Sequence, residues 1–325
     1  MVPPLITLEE HFFSSAVGHS LDDKYGEQFK AIPGLEDQLR DLGDLRLSYM
    51  DKGKVSLQVI SHGPGTMTVD QCHAANDQLA AAVKKHPERF AGFAVLPMSA
   101  PEACGPELER TVKEHGFVGA LIDCHVDGKY YEGSEYDDFW KTAERLDVPI
   151  YIHPSWPSED MAPRYQGEFT AGAAKSLGAS GWGWHNEVAL HTLRLYASGL
   201  FDQCPKLKII LGHFGEMIPF MLDRITKLSV RWGDQKRKWK QVWDENIWIT
   251  TSGVWSLDPL RCILGNTKIE RILYSVDFPF ERNENGLVWM EELERSGLVT
   301  REQLEMIAYK NSEKLLGVKA PRRGN

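Results

Sequence analysis

Cysteine is scarce and unpaired: five residues in 325, Cys72, Cys104, Cys124, Cys204 and Cys262, with no CxxC or CxxxC spacing. That pattern excludes a disulfide framework and suits isolated thiols in a reducing compartment. Positive charge is also in deficit, with 37 Lys and Arg against 46 Asp and Glu and a formal net charge of −9. Nucleic acid and anionic membranes are therefore excluded as partners, because phosphate recognition needs a concentrated basic surface. The two basic runs, "KRKWK" at Lys236 to Lys240 and "PRRGN" at the tail, read as a solvated helix face and a frayed end. No apolar run is long enough to cross a bilayer. The start, "MVPPLITLEEHFF", has no basic stretch leading into an apolar one, so it does not read as a signal peptide. No GxGxxG follows a strand, and no solenoid-length repeat appears. These absences leave a soluble cytoplasmic protein with no nucleic-acid or membrane partner.

What is present is an alternation. Short apolar, β-branched segments at Leu5–Glu9, Ser56–Ser61, Phe90–Leu96, Ala120–Asp123, Pro149–His153, Leu207–Leu211, Ile247–Thr251 and Ile272–Val276 read as strands. Between them, helical periodicity marks Glu36–Asp51, Val69–Lys85, Ala103–His115, Asp137–Leu146, Glu187–Ser198, Glu216–Val230 and Arg301–Tyr309. Thr68 and Ser99 stand as helix starts. Eight strands alternating with helices predict an α/β fold, a (β/α)₈ barrel of TIM type, rather than an open doubly wound sheet. Residues 1–325 read as one such domain. Two insertions break the rhythm: Phe13–Leu35 after strand one, and the Gly-, Ser- and Trp-rich stretch Ser155–Trp184 after strand five. Segments that long serve as lids, substrate walls or oligomer contacts.

Chemistry-bearing residues fall at strand ends. Glu9 and His11 form Glu-x-His at the end of strand one, and residues two apart on a strand share a side. His153 ends strand five in "YIHP", His213 follows strand six in "ILGHFGE", and Asp277 follows strand eight in "LYSVDFPFE". Any one of these alone reads as a hydrogen-bonded structural residue or a helix cap. All five in strand order converge on the C-terminal mouth, where barrel enzymes place their sites. Imidazole nitrogen with carboxylate oxygen suits Zn²⁺ or Mn²⁺.

The strings "LEEHF", "HPERFAGFAVLPM", "GFVGALID", "LDVPIYIHP", "ASGLFDQCPKLKIILGHFGE", "NIWITTSG" and "RILYSVDFPFE" run over nearly the whole chain. Together they resemble the metal-dependent decarboxylase branch of the amidohydrolase superfamily, with γ-resorcylate and 2,3-dihydroxybenzoate decarboxylases nearest in pattern. The resemblance implies that Glu9, His11, His153 and Asp277 hold one divalent ion per chain, Zn²⁺ or Mn²⁺. It implies that Asp277 is also the proton donor, with His213 and Glu216 beside the metal. Glu216 would orient His213, the alternative donor. Arg224, in "FMLDRI", matches a basic residue near the substrate or a subunit contact. The 2,3-dihydroxybenzoate members tend to carry Ala where this chain has His11, which points to the resorcylate-like subgroup. "HPSWP" stands where relatives often read "HPRNP", and Asp123 where "VN" is common, so the substrate pocket differs.

The reaction implied is non-oxidative loss of CO₂ from an ortho-hydroxylated aromatic acid by a carboxy-lyase. Protonation of the ring carbon that bears the carboxylate avoids an aryl carbanion, and a divalent ion would hold carboxylate and phenolate oxygens in one pose. Two alternatives stay open: a metal-dependent hydrolase of an ester, lactone or amide, which more often shows His-x-His in the first motif, and a non-catalytic metal-binding barrel. The aromatic residues Phe12, Phe13, Trp156, Trp182, Trp184, Trp255 and Phe280 lie beside the motifs. Phe12, Trp156 and Phe280, with Asp123 and Arg224, are the expected substrate contacts. His62, His185 and His191 are secondary pocket or oligomer candidates, and Glu187 stands one turn before His191 as a structural partner. A homodimer or homotetramer is expected.

Overall fold

The computed structural model describes residues 2–18 and 22–321. Its eight strands are β1 (Leu5–Phe12), β2 (Val55–His62), β3 (Phe90–Gly92), β4 (Ala120–Asp123), β5 (Ile150–His153), β6 (Ile209–Leu211), β7 (Ile247–Thr250) and β8 (Ile272–Leu273). All pairings are parallel, in the order β1-β2-β3 and β4-β5-β6-β7-β8. A parallel bridge between Ala94 and Ala120 joins β3 to β4. At the other seam a side chain replaces the ladder: Leu8 N and Glu9 N both donate to Ser275 Oγ, at 3.1 and 2.8 Å. His11 N then donates to Phe278 O at 2.7 Å. The result is the expected (β/α)₈ barrel.

Two apolar cores follow from strand alternation. Ile6, Leu8, Leu57, Val59, Phe93, Leu121, Tyr151, Ile210 and Leu273 fill the barrel, closed below by Leu315 and Leu316. Leu5, Val55, Ile60, Ile122, Ile150, Ile152, Ile209, Ile249 and Ile272 face outward against the helices. β1 departs from strict alternation. Its register against β2 slips between Thr7 and Glu10, a bulge that inserts one residue. Ile6 and Leu8 point inward below it; above it Glu9 and His11 do, sending Glu10 and Phe12 outward. Without that extra residue Glu10 would face the mouth instead.

Helices Val69–Lys85 and Asp137–Leu146 have the expected bounds, the first with a Thr68–Gln71 capping box. Elsewhere the chain differs for local reasons. The span 36–51 is two helices, Leu35–Arg40 and Asp44–Lys52, because Asp41 Oδ2 accepts from Gly43 N and Arg46 N and restarts the chain. The helix near Ser99 begins at Pro101 with Ala100 at its cap, without a side-chain cap bond. The helix placed at Arg301–Tyr309 is α only to Glu305, then a π turn over Met306–Lys310 and a further helix Asn311–Leu316. β8 is shorter than 272–276, since beyond Leu273 side chains replace the ladder: Ser275 N donates to Thr251 Oγ1 and Val276 N to Glu10 Oε1. Each insertion contains a helix absent from the sequence reading, Asp22–Ala31 and Ala171–Gly178. Others missed are Leu200–Gln203, Trp239–Asn246, Leu257–Leu264 and Asn283–Ser296. Lys236 and Arg237 lie in the turn before Trp239, where Arg237 pairs with Glu245. Of "PRRGN", residues 322–325 lie outside the described residues. Among the described residues no helix is long and apolar enough to cross a membrane.

Candidate active site

Glu9, His11, His153 and Asp277 each offer one ligand atom, and those atoms lie within 4.8 Å of one another at the barrel mouth. His153 Nε2 is 3.2 Å from Glu9 Oε1, and His11 Nε2 is 3.3 Å from Asp277 Oδ1. Each part is fixed from behind. His153 Nδ1 donates to the Pro154 carbonyl at 2.7 Å, which turns Nε2 inward. Tyr151, one layer deeper on β5, donates its hydroxyl to Glu9 Oε2 and pairs with Thr250 Oγ1 at 2.8 Å. Asp277 sits at φ 76°, and the loop it begins is held by Glu10, whose carboxylate accepts from Ser275 Oγ, Val276 N and Phe278 N.

The donor set fits a divalent cation. Glu9 Oε1, His11 Nε2 and Asp277 Oδ1 are buried with no hydrogen-bond partner among the described residues. Three buried polar atoms without partners converging on one point are costly unless a cation takes them. Burial and Glu9 push the Asp277 carboxyl well above the usual carboxylate range, against the pull of His213 and His153.

Beside this cluster stands a second. His213 Nδ1 donates to Glu216 Oε1 at 2.7 Å, and His185 Nδ1 lies 2.6 Å from Glu216 Oε2. Burial alone would lower the His213 pKa, but the carboxylates of Glu216 and Glu9 raise it to about 10. Burial likewise opposes the Glu216 charge, yet His213 and the His185 hydrogen bond hold its carboxyl down at about 2. Glu216 was expected to open a helix; it lies instead in a left-handed turn, φ 52°, and the helix begins at Ile218.

A cavity of about 420 Å³ opens above both clusters, lined by His153, His185, His213 and Asp277 with Tyr25, Ile32, Trp184, Val254 and Phe280 among its walls. Of the expected substrate contacts, Phe280 is in the wall, 5.8 Å from the His11 ring. Trp156 is one layer behind, edge-on to Tyr25 and Trp184 at 4.8 and 4.9 Å. Asp123 lines a separate small cavity with His62, and its carboxyl accepts from Gly65 N at 3.0 Å. Phe12 is in the outer core, turned there by the β1 bulge. Arg224 is exposed on the helix Ile218–Leu228, away from the cavity lining. Glu187 bonds the Tyr130 and Tyr165 hydroxyls, whereas His191 accepts from Tyr131 N at 3.3 Å, so each is partnered elsewhere.

Sequence reasoning missed Tyr151, Tyr25 and Glu10. Tyr151 sits inside an apolar strand and Tyr25 in an insertion with no pattern, so neither carried a signal. Glu10 could have been found, since a carboxylate flanked by two ligands on one strand must be buried against donors.

The barrel with a His and carboxylate cluster at its mouth defines a metal-dependent enzyme of amidohydrolase type. The amidohydrolase family model matches residues 11–318, and the chain belongs to that family. It is 56% identical over 325 residues to the decarboxylase orsB of Emericella nidulans, covering 98% of each chain. It is 38% identical over 314 residues to the γ-resorcylate decarboxylase of Rhodococcus jostii, covering 88% of this chain and 91% of that one. Among solved structures, a dihydroxybenzoic acid decarboxylase from Polaromonas sp. with bound manganese and the inhibitor 2-nitroresorcinol superposes with a TM-score of 0.87 at 34% identity, covering 97% of both chains.

Proposed function

We propose that the protein is a metal-dependent, non-oxidative decarboxylase of an ortho-hydroxylated aromatic acid. The observation that carries this is the placement of Asp277, at once a member of the four-ligand cluster and a wall of a cavity lined by aromatic and aliphatic side chains. Glu9, His11, His153 and Asp277 would hold the cation, and manganese in a 34% identical structure supports Mn²⁺ beside Zn²⁺. A divalent ion there supplies charge neutralisation for the substrate's carboxylate and neighbouring oxygen.

The chain's own groups do the rest. Trp184, Val254, Ile32 and Phe280 clamp the ring and exclude water. Asp277, which belongs to the cluster and also lines the cavity, delivers a proton to the ring carbon bearing the carboxylate once bound substrate offsets the cation's charge. The bond to the carboxylate then breaks, its electron pair returns to the ring, and CO₂ leaves while Asp277 remains as carboxylate. His213, held by its hydrogen bond to Glu216 at the cavity wall, is the alternative donor.

We also propose that residues 1–325 act as one domain in the cytoplasm and that the chain forms a homodimer or homotetramer. The exposed Phe220, Met221 and Val230 around Arg224 support a subunit contact. The test of the reaction is CO₂ release by metal-loaded protein from 2-, 3- and 4-hydroxybenzoates and bulkier or heteroaromatic analogues. Only acids with the ortho oxygen should turn over; turnover of the meta or para acids at equal rate would contradict the chelated pose.

A further inference from the structure

We propose that His185 is a positioning residue for this decarboxylation, acting through Glu216 to keep His213 aimed at the reacting ring, and resting on the decarboxylase reading above. The need for it comes from the backbone. His213, Phe214, Gly215, Glu216 and Met217 have φ of 44°, 58°, 85°, 52° and 65°, five left-handed residues in succession of which four are not glycine. L-residues avoid that region, so such a turn persists only where its surroundings hold it. Backbone fastenings are three: Phe214 N donates to Thr250 O at 2.7 Å, Gly215 N to Gly212 O at 2.6 Å, and Ile218 N to Gly215 O at 3.0 Å. The side chains supply the remainder.

Glu216 is the hub of that clamp. Its carboxylate is buried, with one oxygen on His213 Nδ1 and the other 2.6 Å from His185 Nδ1. His185 Nε2 lies 3.0 Å from the Ser180 carbonyl oxygen, so the ring is held at both nitrogens, by Glu216 and by the insertion. The ring also packs edge-on to His213, centroids 4.7 Å apart. His185 therefore joins three separate pieces: the insertion after β5, the left-handed turn, and the imidazole at the cavity wall. Without it Glu216 Oε2 loses a donor in a buried place, and the carboxylate can turn away from His213. His185 stands outside the four-ligand cluster and lines the cavity beside His213, so an effect carried by Glu216 is one that vanishes when Glu216 is replaced.

The test is a double-mutant cycle on metal-loaded enzyme, His185→Ala and Glu216→Gln singly and together, with the ortho-hydroxybenzoate that the wild type turns over fastest. His185→Ala should lower kcat by about tenfold or more, with KM within about twofold and metal content unchanged. In the Glu216→Gln background the same change should cost less than about twofold, and added imidazole should restore part of the kcat of the single variant. The hydrogen-bonded Nδ1 proton of His213, read by NMR on histidine-labelled protein, should move in His185→Ala. Equal losses in both backgrounds, or a rise in KM alone, would overturn the proposal and leave His185 a pin of the insertion. Should His185→Ala not fold, His185→Gln keeps a donor and should show the same coupling, with a smaller loss. A wild type inert toward every acid would instead refute the decarboxylase reading, a result distinct from an active enzyme with uncoupled variants.

Discussion

One hydroxyl fixes the carboxylate at the centre of the site. Tyr151 donates to Glu9 Oε2 from inside the barrel, which leaves Glu9 Oε1 free to face His153, His11 and Asp277. Tyr151→Phe preserves the packing and removes the hydroxyl's bonds to Glu9, Thr250 and Ser252. Metal affinity should fall roughly 10- to 100-fold, the range typical of groups that orient metal ligands, as read by competition with a chelator; unchanged affinity would mean that Glu9 is held by the barrel alone. His153→Ala removes a ligand outright and should lose both metal and activity, checked by metal analysis of the purified variant. At this scale the sequence was informative where residues at strand ends carried charge, as Glu9, His11, His153, His213 and Asp277 do. It was silent on Tyr151, which is indistinguishable by pattern from its apolar neighbours, and on the β1 bulge. Counting alternation straight through Ile6 and Leu8 would bring Glu10 and Phe12 inward; only the register against β2 shows why they face the helices.

The strand-to-helix turn after β6 is the element on which both clusters depend. Gly212 precedes it, and a Cβ there would lie 3.0 Å from Glu9 Oε2 and from the Tyr151 hydroxyl, and 3.4 Å from Glu216 Oε1. Gly212→Ala should therefore keep the overall fold by circular dichroism, yet lower metal occupancy and activity by about tenfold or more, because three oriented oxygens must move together. A variant with wild-type occupancy and rate would show that the turn has slack. Elements with strong amphipathic patterns and caps, such as Val69–Lys85, were legible to the residue. The turn at 213–217 was not, because its left-handed backbone is imposed by tertiary hydrogen bonds and "HFGEM" reads equally as the start of a helix. The helices of the two insertions were hidden for a related reason: Asp22–Ala31 has a low mean apolar content and is placed largely by Tyr25 against Phe13, Trp156 and Phe280.

For the molecule as a whole, the barrel and its face were legible because strand number and strand-end chemistry agree, while walls contributed by insertions were not. A cation bound only by the native state adds stability as well as chemistry. Exhaustive chelation should abolish activity and lower the melting temperature, and metal at about 100-fold excess over its Kd should restore about 2.7 kcal/mol; full activity in verified metal-free protein would contradict the site. Light scattering at micromolar concentration should report a dimer or tetramer, and a monomer would remove the subunit role suggested for the Phe220 and Arg224 face. In the proposed reaction Asp277 protonates the ring carbon that loses CO₂. The most direct measurement of that step is turnover of an ortho-hydroxybenzoate in D₂O, with the product read by NMR. One deuterium is expected at the carbon that bore the carboxylate, with Asp277→Asn losing this step because an amide cannot serve as the acid. Ester or lactone hydrolysis without CO₂ release from any ortho-hydroxy acid, or deuterium placed elsewhere on the ring, would contradict it.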